Sequence, residues 1–385
     1  MQLHQGRPED AGLCPAKIRR IAAAAEKWVV GGLTPALVVL AARRGVVVLH
    51  EAYGRLTPDE DSPPLPRDAI FPLASISKPI TATAAMLLVE EGLLGLNRPV
   101  REYLPEFVGV GKDVVMVHHL LTHTSGLRDE DVDAHAVANR ACFPAGESLP
   151  GLADYMSARW DASLWKAPGT EMSYCNYNYE LLGEIVARAC GQPLPDFVRA
   201  RICEPLGMGD THFVVPEALR GRIVHRPLDA FAAQFLDSRQ LQDEPFASGG
   251  AFGSALDLAT FGQMFLNRGC YGDVRLLSPA TVAAVTRNHI PGISALFSGQ
   301  VFPEASWGLG WDILGEKKAE RDGSLRSTRT FQHGGLGGVF LWVDPVYEIV
   351  GAYFSVVLRL LPAFGNLDWN ADLFMNMVTA AVVDI

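Results

Sequence analysis

Three widely separated stretches of the chain carry side chains suited to catalysis. The first is Phe71-Pro-Leu-Ala-Ser75-Ile-Ser-Lys78-Pro79. If a helix begins at or just before Ser75, the i, i+3 spacing puts hydroxyl and ammonium on one face, within mutual reach. Pro79 suits a first helical turn, where its missing N–H costs nothing. The free N–H groups and positive dipole end of such a helix start can also hold an oxyanion. Lys78 acts as a base only if burial or a positive neighbourhood lowers its pKa. The plainer alternative is a serine that caps a helix beside a solvated lysine, and Ser-x-x-Lys alone is common by chance.

The second stretch is Ser173-Tyr174-Cys-Asn176, just before a helical pattern. A phenol near a lysine ammonium can shuttle a proton as phenolate, because the cation stabilises the charged form. Taken alone, Tyr174, Tyr177 and Tyr179 fit half-buried packing aromatics equally well. The third is Phe331-Gln-His333-Gly334-Gly335-Leu336-Gly-Gly338 at the end of a β run. Adjacent glycines on a strand permit close approach by a ligand or another backbone. An exposed N–H at Leu336 would then supply a second oxyanion donor. A phosphate loop is a weak rival, since the third glycine of a dinucleotide fingerprint and a P-loop Lys-Ser/Thr are both missing. A plain β-turn is the other rival.

Other chemistry fits less well. His119 and His123 stand at i, i+4 but lack the intervening glutamate of His-Glu-x-x-His, so a packed or hydrogen-bonded turn is expected there. Asp129-Glu-Asp131-Val-Asp133 starts like a calcium loop but has Ala134 and Arg140 where Gly and Glu belong. It is expected to be a solvated loop at a cleft rim. No Gly-x-Ser-x-Gly elbow occurs, which disfavours an α/β-hydrolase. Trp307, Trp311 and Trp342 suit either an acyl pocket or core packing.

The elements that must position these groups can be read coarsely. Residues 36–54 predict two strands joined at Arg43-Arg44-Gly45, and residues 77–94 predict a helix. Helices are also expected over 181–190, 255–267 and 369–383, and late strands over 308–314, 329–333, 339–343 and 349–355. Strands at both ends and helices between them imply one α/β (α+β) sheet built from both termini, with a mostly helical insertion. Hairpin-type connections favour an antiparallel sheet flanked by helices. The expected division is 1–70 with 245–385 for the sheet domain and 71–244 for the helical one, the active site lying in the groove between them.

Composition narrows the classes. The chain has 385 residues, 49% apolar and 20% charged, with a net charge of -10. That is ordinary globular composition, and the acidic balance argues against a nucleic-acid partner. No apolar run approaches the ~20 residues of a membrane span. The start of the chain shows no secretory signal, and six scattered cysteines without a C-x-x-C pair read as reduced thiols. A cytoplasmic location is therefore expected.

Ser-x-x-Lys, Tyr-x-Asn and His-Gly-Gly in this order are far more specific than any one of them. Together the sequence resembles the serine β-lactamase/penicillin-binding-protein superfamily, and most closely the class C β-lactamase-like esterases known as family VIII carboxylesterases. His119-Leu-Leu-Thr-His123-Thr-Ser-Gly126-Leu127, Glu204-Pro-Leu-Gly207-Met208, Ser248-Gly-Gly-Ala-Phe-Gly253-Ser254 and Trp307-Gly-Leu-Gly310-Trp311 extend the resemblance over roughly residues 8–383. The resemblance implies a β-lactamase/transpeptidase-like fold. It implies Ser75 as nucleophile, Lys78 as its base partner and Tyr174 as proton shuttle. The N–H groups of Ser75 and Leu336 would form the oxyanion hole, and Asn176 would contact the bound acyl group. His333, Gly334 and Gly335 stand where β-lactamases and peptidases of the superfamily carry Lys-Thr-Gly. That lysine is a fixed cation for a substrate carboxylate, whereas a histidine is a part-time cation near neutral pH. Esters are therefore favoured over β-lactams. No class A deacylating glutamate is evident, which leaves Tyr174 to activate water.

The expected reaction is two-step acyl transfer from a short-acyl ester or lactone, with no metal and no organic cofactor. The same residues would serve an acyltransferase, an amidase or D-aminopeptidase, or a weak β-lactamase. A non-catalytic scaffold is the alternative of another class. The expected partner is a small-molecule ester; oligomeric state is open.

Overall fold

The computed structural model describes residues 1–139, 151–230, 232–297, 300–316, 324–356, 360–361, 366–367 and 371–384. Its centre is a seven-stranded sheet. In chain order the strands are β1 (His4–Gln5), β2 (Ala36–Arg43), β3 (Val46–Gly54), β4 (Asp312–Ile313), β5 (Phe331–Gly335), β6 (Val339–Asp344) and β7 (Ile349–Ser355). Their spatial order is β1-β3-β2-β7-β6-β5-β4. All neighbours run antiparallel except β1 and β3. The first and last parts of the chain meet where Ala352 faces Leu40 across β7 and β2. Arg44 and Gly45 both take positive φ in the β2–β3 connection, as a two-residue hairpin requires.

Both faces of the sheet are covered, so β2 is buried at every position rather than alternating. On one face Val38, Leu40, Leu341, Val343 and Val350 pack with Phe261 and Phe265 of the helix Ala255–Leu266. On the other, Leu37, Val39, Trp342 and Tyr353 meet Ile18 and Ile21 of α1 (Pro15–Val30) and Phe374 of the C-terminal helix Ala371–Ala380.

Between these two contributions to the sheet, helices dominate. The ones that build the site are α2 (Ser77–Glu90), α3 (Asp129–Ala138) and α4 (Tyr177–Cys190). Residues Ser77 to Leu88 of α2 are buried on every side, which marks a central helix. Among the described residues, no helix is long and apolar enough to cross a membrane.

Three sequence expectations need correction. The helix expected over 77–94 ends at Glu90, because Gly92 adopts φ of +73° and returns the chain on itself. The strand expected over 308–314 shrinks to Asp312–Ile313, since Gly310 at φ of +97° folds Trp307–Trp311 into a turn. Residues 129–133 are not a solvated loop. They open α3, whose first turn carries Asp129, Glu130 and Asp131 and so suits the positive end of the helix dipole.

Candidate active site

Ser75 lies in a single 3-10 turn, Ala74–Ile76, that feeds directly into α2. The turn is anchored from behind: Phe71–Pro72 pairs with Phe252–Gly253, and the Leu73 N–H donates to the Ala251 carbonyl at 2.8 Å. Ala74 is held at φ of +45°, a conformation disfavoured for any residue with a Cβ. Such strain persists only where its surroundings impose it. Here the end of β5 presses on the turn, and a Cβ at Gly335 would meet the Leu73 carbonyl oxygen at 2.2 Å. Glycine at 335 therefore lets the His333-Gly334-Gly335 strand reach the serine.

Lys78 stands one turn further on, its side chain fully buried. Its Nζ is 3.0 Å from Ser75 Oγ, 2.8 Å from Asn176 Oδ1 and 2.9 Å from the Ser248 carbonyl oxygen. Burial brings its pKa down to about 7, against the opposing pull of Asp129 and Glu180. Tyr174 follows the short strand Met172–Ser173, and its phenol is hydrogen-bonded to Ser75. Its ring centroid is 4.8 Å from Lys78 Nζ. The hydroxyl, amine and phenol that the sequence singled out are thus neighbours in space.

Two electrostatic expectations change. Tyr174 was expected to shuttle as phenolate beside a cation, but burial pushes its pKa up, with the Ser75 hydrogen bond opposing. The desolvation outweighs that hydrogen bond, so the resting group is a phenol. His333 is not a part-time cation. It is buried in β5 opposite Leu341, and burial, reinforced by Lys78, pulls its pKa down to about 4. It is neutral at pH 7, with Nδ1–H donating to the Gly334 carbonyl at 2.8 Å.

The remaining predicted residues fall on two sides of Ser75. Asn176 immediately precedes α4, its amide oxygen turned to Lys78 and its amide nitrogen 2.8 Å from Asp129 Oδ2. Leu336, half-buried, packs into an apolar cluster with Ala74, Leu236 and Phe252. Trp307 stands 5.9 Å from Tyr174 and 5.8 Å from His333, centroid to centroid, whereas Trp311 and Trp342 are buried in the core. His123, at φ of +56°, is the expected hydrogen-bonded turn: its Nδ1 accepts from the Cys175 N–H at 3.1 Å and its ring lies 4.4 Å from that of Tyr174.

Sequence reasoning missed two carboxylates. Asp129 accepts from the backbone N–H and side-chain amide of Asn176, and Glu180 accepts from the backbone N–H groups of Ala247 and Ser248. The signal for Glu180 was an acid set between Tyr179 and Leu181-Leu182 in α4. The signal for Asp129 was an acid run at a helix start.

With this geometry in view, comparison with known proteins is informative. Residues 22–370 match the beta-lactamase family. Esterase EstB of Burkholderia gladioli is 33% identical over 337 residues, covering 80% of this chain and 82% of that protein. Penicillin-binding protein 4 of Amycolatopsis lactamdurans is 32% identical over 254 residues, 64% of this chain and 63% of its own. Among solved structures, a family VIII carboxylesterase superimposes with a TM-score of 0.75 at 19% identity, over 96% of this chain and 98% of that one. EstCE1, described as a hydrolase with promiscuous acyltransferase activity, gives a TM-score of 0.75 at 23% identity, over 95% and 98%. The fold, the order of the motifs and the span of the match agree: this chain belongs to the beta-lactamase family.

Proposed function

We propose that this protein is a serine carboxylesterase working through an acyl-serine at Ser75. The observation that carries the reading is the coordination of Lys78. In its neutral form the amine has two N–H bonds and one lone pair. The Asn176 Oδ1 and Ser248 carbonyl oxygens can only accept, so they take the two N–H groups. The lone pair is then left for the Ser75 hydroxyl, 3.0 Å away. A lysine whose pKa is about 7 is poised for this role at neutral pH.

As Ser75 Oγ bonds to the ester carbonyl carbon, its proton passes to Lys78. The oxygen that becomes negative rests on the N–H groups of Ser75 and Leu336. The bond to the alcohol oxygen then breaks. That oxygen takes a proton from Tyr174, which is replenished from Lys78. Water repeats the sequence on the acyl-enzyme and releases the acid. Tyr174 works as a phenol that passes protons, which its raised pKa permits. The site lies where the helical segment, 71–244, meets the end of β5 in the sheet segment, 1–70 with 245–385.

Esters are the substrate class because His333 is neutral and offers no fixed charge to a substrate carboxylate. Relatedness to an esterase over most of both chains supports the same reading. A cytoplasmic location belongs to this proposal; the five described cysteines are all unpaired thiols, as a reducing compartment leaves them. The test is turnover of short p-nitrophenyl acyl esters against that of a chromogenic cephalosporin. Faster ester turnover is expected. Faster cephalosporin turnover would overturn the substrate assignment.

A further inference from the structure

Lys78 can act as a base only if its two acceptors stay acceptors. Neither is fixed by its own chemistry. A carboxamide can rotate to present its NH2 group instead of its oxygen, and a loop carbonyl can turn away with its peptide. Each is held by a carboxylate, partly buried at Asp129 and buried at Glu180.

Asp129 opens α3 and takes four contacts from the start of α4. Its Oδ1 accepts from the Asn176 N–H at 2.8 Å and the Tyr177 N–H at 3.4 Å. Its Oδ2 accepts from the Asn176 N–H at 3.0 Å and from Asn176 Nδ2 at 2.8 Å. A carboxylate accepts only, so the amide nitrogen of Asn176 must face Asp129 and the amide oxygen must face Lys78. Glu180, one turn into α4, does the same for the other acceptor. Its Oε2 takes the Ala247 N–H at 2.9 Å and its Oε1 takes the Ser248 N–H at 3.0 Å. That clamps the loop whose Ser248 carbonyl receives Lys78, while the preceding Ala247 carbonyl receives the Thr81 hydroxyl of α2 at 2.8 Å.

From this geometry we infer that Asp129 and Glu180 are positioning residues that orient Lys78 through Asn176 and Ser248. The inference rests on the assignment of Lys78 as the base. The two carboxylates also set the charge around it. The groups facing Lys78 are Asp129 from α3, Glu180 and Tyr179 from α4, Tyr174 and Cys175 before α4, His123 from its turn and His333 from β5. Burial keeps the tyrosines and Cys175 protonated and both histidines neutral. Burial also raises Asp129 and Glu180, but the partners on their oxygens are all donors, which suits the ionised form. These two negative charges oppose the loss of the Lys78 proton.

The experiment is the pH profile of kcat and KM for a p-nitrophenyl ester with Asp129→Asn and Glu180→Gln, alongside thermal melts. Removing either charge makes Lys78 easier to deprotonate, so the acid limb of kcat/KM should move to lower pH by about one unit. Loss of orientation should cut plateau kcat about 10-fold or more with KM little changed. Asp129→Glu, which keeps the charge, should leave the limb in place. Should Asp129→Asn fail to fold, Glu180→Gln carries the same test. Folded variants with lowered melting points but wild-type limb and kcat would reduce both residues to structural ties and overturn the inference. Lys78→Met separates the two levels: activity there with the wild-type limb would remove the base assignment itself.

Discussion

Two lysines of this chain are buried among aromatic rings, and they do different work. Lys78 lies 4.8 Å from the Tyr174 ring centroid, and Lys112 lies 4.3 Å from that of Phe107. Desolvation lowers both, to about 7 and about 8. Yet Lys112 Nζ donates to the Trp160 carbonyl at 2.7 Å, and among the described residues no hydroxyl is bonded to it. It ties the loop before residue 115 to the segment after α3. Lys78 has a serine hydroxyl on one side and two fixed acceptors on the others. Burial makes an amine willing to lose its proton; only its neighbours decide whether that proton transfer has a use.

Substitution should separate the two lysines sharply. Lys78→Met is expected to cut kcat/KM for ester cleavage by about 10³-fold or more, because it removes the amine that is bonded to Ser75 and has a pKa near neutral. Activity near wild type would merge the two lysines into one structural class. Tyr174→Phe, measured the same way, should cost about 10²-fold, as it removes the proton path to the leaving alcohol but not the base. At the small end, Lys112→Met should leave kcat/KM within about 2-fold and lower stability by about 1 kcal/mol, read as a reduced melting temperature, since the Trp160 carbonyl loses its donor. Its pH dependence sharpens the contrast. Lys112 has a folded-state pKa of about 8 against an ordinary 10.5, so between those values the unfolded chain binds more protons and stability rises with pH. Lys112→Met should lose that rise.

How much of this was legible beforehand follows from the kind of interaction involved. The β2–β3 hairpin, α2 and the β6 and β7 strands were visible because local apolar patterning and turn residues determine them. Ser75, Lys78 and Tyr174 were visible because their spacing within short motifs is local, and their order along the chain is distinctive. Asp129 was misread because its role depends on a contact with Asn176, 47 residues away, that no periodicity encodes. Glu180 went unnoticed for the same reason: its partners Ala247 and Ser248 are 67 and 68 residues distant. The charge states of His333 and Tyr174 were misjudged because desolvation is a property of the packed site. A histidine followed by two glycines looks open in the sequence; in the fold it is covered by Trp307 and Tyr174.

The central claim is that Ser75 is made nucleophilic by an amine that is half deprotonated near neutral pH. Mass spectrometry after reaction with a fluorophosphonate probe, followed across pH, tests it most directly. A single adduct on Ser75, forming at a rate that rises through a midpoint near pH 7, is expected. An unmodified Ser75, or labelling of it at a rate indifferent to pH across that range, would contradict the account.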